Sequence, residues 1–79
     1  MLFLIEYDRE AGKLVTLREF GDSERKLAED ARIDLEVSLN QRAIDHEVVL
    51  LQAASRQALE QTHRRYFVAL EELARATGT

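Results

Sequence analysis

Three short apolar runs and two longer stretches of regularly spaced apolar positions organise this chain. Residues 2–7, LFLIEY, and 13–20, KLVTLREF, are dense in leucine, β-branched and aromatic side chains, and DREAG lies between them. Two such runs around a short polar loop predict a β-hairpin over residues 2–20. Gly12 suits the left-handed position that closes a three- or four-residue loop built on a type I turn, and Asp8 is a good first turn residue. The two loop lengths leave the register open, because they turn one strand's side chains to opposite faces.

GDS at residues 21–23 then supplies a glycine break and a capping residue, Asp22 or Ser23, ahead of a segment free of glycine and proline. A helix over about residues 22–39 follows. Leu27, Ala28, Ala31, Leu35 and Leu39 share an arc of about 120° on its wheel. Ile33 and Val37 lie one turn apart on another side, so the helix is expected to touch something on each of two faces. After the polar QRAIDH, the run EVVLLQA predicts a third strand over about residues 47–53. Ser55 caps a second helix, which Leu59, Thr62, Tyr66, Leu70 and Leu73 carry to about Thr77. At 1.5 Å per residue that helix spans roughly 33 Å, against roughly 20 Å for the strands, so its end overhangs the sheet, packs on a partner or frays.

The order is ββαβα. A right-handed crossover through the first helix puts the third strand parallel to the second, and LFLI, apolar on both faces, fits the centre of a sheet ordered 2-1-3. The expectation is an α+β fold in which residues 1–79 form a single small domain, with a three-stranded mixed sheet and two helices packed mainly on one face. A sheet with one wet face alternates apolar and polar residues, and LFLI and VVLL do not. The second face is therefore expected to meet another copy or another protein through Leu2, Leu4, Val48 and Leu50, with Ile33, Val37, Leu70 and Leu73 pointing the same way. The competing reading divides the helices across both faces and makes the sheet residues core.

Size and composition strengthen the case for association. A chain of 79 residues buries only roughly 60–65% of its unfolded surface. With no cysteine, disulfide staples and thiolate zinc sites are excluded, and a small unstapled domain commonly gains stability by oligomerising. The apolar start is too short and turns acidic too soon for a secretion signal, and no run approaches a membrane span, so the cytoplasm is the default address. Net charge is −4, and residues 21–40 hold six acidic against three basic side chains. That balance disfavours nucleic acid.

Candidate chemistry is sparse. QTHRRYF at residues 61–67 looks like a site, yet on a helical wheel Tyr66 and Phe67 join the apolar arc of Leu59 while Arg64 and Arg65 point away on separate sides. His63 lies within that arc, either as a core-edge histidine or as a proton-transfer or ligand group. Glu6 closes the largely apolar first strand, where a carboxylate is expected to be solvated unless buried as an acid or base. His46, Asp45, Glu47 and His63 can be drawn as a metal site, but their spacing matches no zinc signature, and no metal is expected. Gly12, Gly21 and Gly78 form no phosphate-binding loop, Ser23, Ser38 and Ser55 build no triad, and neither a cofactor nor a catalytic residue is assigned.

These residues favour a small non-catalytic interaction or regulatory module, working as a homodimer or with another protein. The alternative is a small enzyme or ligand-binding subunit with a pocket near His63, Tyr66 and Glu6. A weaker one is nucleic-acid binding through Arg56, Arg64, Arg65 and Arg75, which share no single stripe.

Overall fold

In the computed structural model, which describes residues 1–67, the hairpin forms from β1 (Leu2–Asp8) and β2 (Lys13–Phe20). Its four-residue loop is built by the expected side chains. Asp8 Oδ1 accepts from the backbone N–H of Glu10 and of Ala11, each at 3.0 Å. Gly12 takes φ 68°, and its N–H closes the turn on the Asp8 carbonyl at 2.8 Å. The register carries a bulge: Glu6 faces Thr16 while Tyr7 faces Leu14, leaving Val15 as the extra residue. That insertion lets both Leu14 and Leu17 pack on one face.

A 3-10 turn at Asp22–Glu24 leads into α1 (Arg25–Gln41). Neither Asp22 nor Ser23 caps it. The Glu24 carboxylate instead reaches back to accept from the Gly21 N–H at 2.7 Å. At the other end Ala43, with φ 55°, turns the chain, and the Ile44 N–H donates to the Leu39 carbonyl at 2.9 Å. Such a left-handed position after a helix is more often held by glycine. β3 (Glu47–Gln52) then pairs with β1, and α2 (Arg56–Thr62) starts on the expected Ser55 cap, whose Oγ accepts from the Ala58 N–H at 3.1 Å.

The sheet order is β2-β1-β3, as the apolar character of β1 implies. Both pairings are antiparallel, so the sheet is not mixed: β3 does run parallel to β2, but β1 stands between them. The packing of the helices differs from expectation. Leu2, Leu4 and Phe20 pack with Ala28, Ala31 and Leu35 of α1, together with Val48 and Leu50. Phe3, Ile5 and Tyr7 on the opposite face pack with Leu59 and Tyr66. One helix thus covers each face, and the unbroken apolar run of β1 is the mark of a strand buried on both sides. The sheet residues Leu2, Leu4, Val48 and Leu50 are consequently core or core-edge rather than an open face.

The second helix is shorter than its pattern suggests. It ends at Thr62, whose Oγ1 folds back onto the carbonyls of Ala58 and Leu59, and a 3-10 turn over Arg64–Tyr66 follows. Breaking the helix lets Tyr66 swing onto Tyr7, edge to face, with ring centroids 5.3 Å apart. Leu70 and Leu73, and the expected extension to Thr77, lie outside the described residues. Within the described residues no helix is long and apolar enough to cross a membrane.

Candidate functional site

Two polar clusters occupy the end of the sheet where β1 finishes and β3 begins, one on each face. The first is built on Glu6. Strand alternation sends its side chain to the α1 face along with Leu2 and Leu4, and the residue is only 5% exposed. Burying a carboxylate demands donors. Thr16, its cross-strand partner, donates from Oγ1 to Oε1 at 2.8 Å, and His46 Nδ1 lies 2.6 Å from Oε2. With Glu6 ionised it can only accept, so Nδ1 carries the proton. The other ring nitrogen, Nε2, is turned towards Asp8 Oδ2 at 3.6 Å. Hydrogen bonding from the Ala11 N–H, aided by the His46 charge, holds the Asp8 carboxyl below its usual range.

The second cluster belongs to the α2 face. Arg65 grips Glu47 with two hydrogen bonds, at 2.7 and 3.3 Å, and lies 4.1 Å from the centre of the Tyr66 ring. The Tyr66 hydroxyl donates to Glu47 Oε2 at 2.6 Å and accepts from Arg65 at 2.6 Å. The hydrogen bonds from Arg65 and then Tyr66 hold the Glu47 carboxyl below its usual range. Tyr66 moves the other way. Burial first, and then the hydrogen bond it gives to the Glu47 carboxylate, push its hydroxyl from 10.0 up to about 12.

A pH dependence follows from that shift. The folded chain holds the Tyr66 proton more tightly than the unfolded one, so this contribution to stability is complete below pH 10 and is lost as pH rises towards 12. Across that window the wild type is expected to lose on the order of 1–2 kcal/mol more than a Tyr66→Phe variant. Urea unfolding at stepped alkaline pH measures it, and equal losses in the two proteins would contradict it.

The residues singled out by sequence do not gather into one pocket. Tyr66 is buried on the α2 face and Glu6 on the α1 face, with the sheet between them. His63 is half-buried, stacked over Tyr66 at 6.3 Å and hydrogen-bonded to Thr62 at 2.9 Å. His46 joins Glu6, not His63, because the antiparallel pairing of β1 with β3 brings the end of one strand to the start of the other. Glu6 is therefore not the solvated strand-end carboxylate its position suggests. Arg65 binds Glu47 while remaining exposed, and Arg56 pairs with Glu60 at 3.2 Å, so two of the arginines considered for nucleic acid already hold acidic partners. Among the described residues no group of three or more His, Asp or Glu side chains converges on a point where a metal ion could sit.

Apolar surface is left over on α1. Leu27, Ile33 and Val37 are 54%, 51% and 49% exposed. Ile33 and Val37 stand on the side of the helix away from the sheet. Leu27, which the wheel placed with the core, instead flanks a groove between α1 and β2 lined also by Leu4, Thr16, Asp34 and Leu35. No family model, curated protein or solved structure matches the chain.

Proposed function

We propose that the chain is a non-catalytic protein-interaction or regulatory module that works as a homodimer. The observation that carries this reading is the half-exposed pair Ile33 and Val37 on the side of α1 away from the sheet. Ala28, Ala31 and Leu35 already serve the sheet, so those two side chains lie outside the core that would account for their cost in water. A cysteine-free, acidic chain of this size fits the cytoplasm as its setting and a second protein surface as the source of further stability. Self-association makes stability depend on concentration. The thermal midpoint is expected to climb by several degrees across a hundredfold rise in protein concentration, and a midpoint that stays constant would contradict the reading.

A second reading has its own support in the Glu6–His46–Asp8 cluster. A carboxylate buried beside an imidazole, with a second carboxylate on the far nitrogen, suits a small-ligand or proton-handling site opening beside Asp8, Arg9 and Asp45. Under that reading His46→Ala abolishes a ligand-induced thermal shift that His63→Ala leaves intact.

A further inference from the structure

The two edges of the sheet differ, and the difference points to one of them as the place where copies meet. β2 is interrupted by the bulge at Val15 and carries Lys13, Arg18 and Glu19. Bulges and charges of this kind keep an edge strand from pairing. β3 has neither protection: its pairing with β1 is regular throughout, and between Glu47 and Gln52 it reads Val-Val-Leu-Leu. Among the described residues no strand covers its outer side.

The direction of its backbone groups can be worked out. Met1 and Ala53 exchange hydrogen bonds, the Ala53 N–H to the Met1 carbonyl at 3.0 Å and Met1 N to the Ala53 carbonyl at 3.0 Å. Bonded pairs alternate along an antiparallel ladder. Leu51, Val49 and Glu47 therefore also turn their backbone groups inwards to β1, while Val48, Leu50 and Gln52 turn theirs outwards.

The flank of α1 above this edge is patterned as well. At about 100° per residue, Arg25, Glu29, Arg32 and Glu36 fall in a stripe about 60° wide. The stripe lies on the β3 side, since Arg25 reaches Gln52 at 3.4 Å and Arg32 and Glu36 border a groove beside Val48. Its signs run plus, minus, plus, minus. In an antiparallel second copy Arg25 meets Glu36 and Glu29 meets Arg32, and the centre of this match lies between residues 30 and 31. With Arg25 level with Gln52 and Glu36 level with Val48, that centre stands over Leu50.

We propose that two copies join through β3 in antiparallel fashion about a two-fold axis at Leu50, making a six-stranded sheet. Leu50 then pairs with Leu50 of the second copy, Val48 with Gln52 and Val49 with Leu51, and the outward N–H and C=O groups all find partners. A two-fold perpendicular to the sheet keeps each face on its own side, as pairing centred on a residue requires. Strands about 4.8 Å apart bring the two α1 helices to about 10 Å, the spacing at which helices pack, with their charged stripes facing each other. The backbone pairing supplies the contact, and the charges set register and exclude a parallel arrangement.

This inference rests on the association reading, and amide exchange by NMR on the full chain separates the two. At a concentration where the chain is dimeric, the amides of Val48, Leu50 and Gln52 are expected to be protected like those of Val49 and Leu51. A dimer whose outward amides exchange freely would overturn the β3 interface and leave association standing; a monomer would overturn both. Charge reversal gives a second line of evidence. Arg32→Glu is expected to weaken the dimer roughly tenfold, and adding Glu29→Arg to restore it. A double variant no tighter than the single one would overturn the proposed register.

Discussion

Replacing Leu59 by alanine is expected to destabilise the chain by about 3 kcal/mol, within the range of about 2–5 kcal/mol seen for buried leucines. The side chain is fully buried against Phe3, Ile5 and Tyr66, and it is the one buried residue of α2. A helix of seven residues has no stability of its own in water, so it depends on this contact. The void left by the truncation faces the rigid centre of β1, where neighbouring backbone is locked into two ladders and cannot collapse inwards. For a domain of this size, total stability is on the order of 4–12 kcal/mol. The variant should therefore lose between about a quarter and three quarters of the chain's stability. Urea unfolding measures the difference, with Leu59→Met as the control that keeps volume and should cost less than about 1.5 kcal/mol. A cost below about 1 kcal/mol for Leu59→Ala would mean that α2 is not held on the sheet by this residue.

His46→Ala is expected to cost about 2–3 kcal/mol at neutral pH, although the imidazole itself is partly accessible. The penalty arises on the other partner. Without His46, the Glu6 carboxylate keeps only the Thr16 hydroxyl while it stays buried in the end of an otherwise apolar strand. Replacing Glu6 by leucine in the His46→Ala background removes the stranded charge and extends the apolar run of β1, so the double variant should recover to within about 1 kcal/mol of wild type. Urea unfolding of the two single variants and the double one decides it. Simple addition of the two single costs would show that Glu6 and His46 are not coupled.

What could be read from the sequence was what local residues determine. The hairpin, its Gly12 and Asp8 turn, and the Ser55 cap each depend on side chains within four residues of the backbone they satisfy. The central place of β1 was legible because its run LFLI suits a strand buried on both faces and a hairpin sets β2 beside it, although VVLL of the edge strand β3 is equally apolar. Which helix covers which face was not, since Phe3 and Leu4 are equally suited to either. The bulge at Val15 leaves no composition signal, and the end of α2 at Thr62 has no glycine or proline to announce it. Past the break, Glu47 of another element holds both Arg65 and Tyr66, a contact that local sequence does not announce.

The same limit hid the Glu6–His46 pair, because the two residues stand 40 positions apart in sequence. One signal was present: in the order 2-1-3, with the third strand parallel to the second, the end of β1 must meet the start of β3. That geometry sets His46 beside Glu6 rather than beside His63. The exposed Ile33 and Val37 were legible for the opposite reason, since the wheel alone separates them from Ala28 and Leu35. Leu27 was misplaced by the same wheel, because α1 sits towards β1 and β3 and leaves the β2 side of the helix uncovered.

Association of this chain in pairs is read out by light scattering on a sizing column across a tenfold range of concentration. The expected mass is twice the 9.1 kDa of the single chain, falling only at the dilute end as the pair dissociates. A mass that stays at the single-chain value throughout would contradict it.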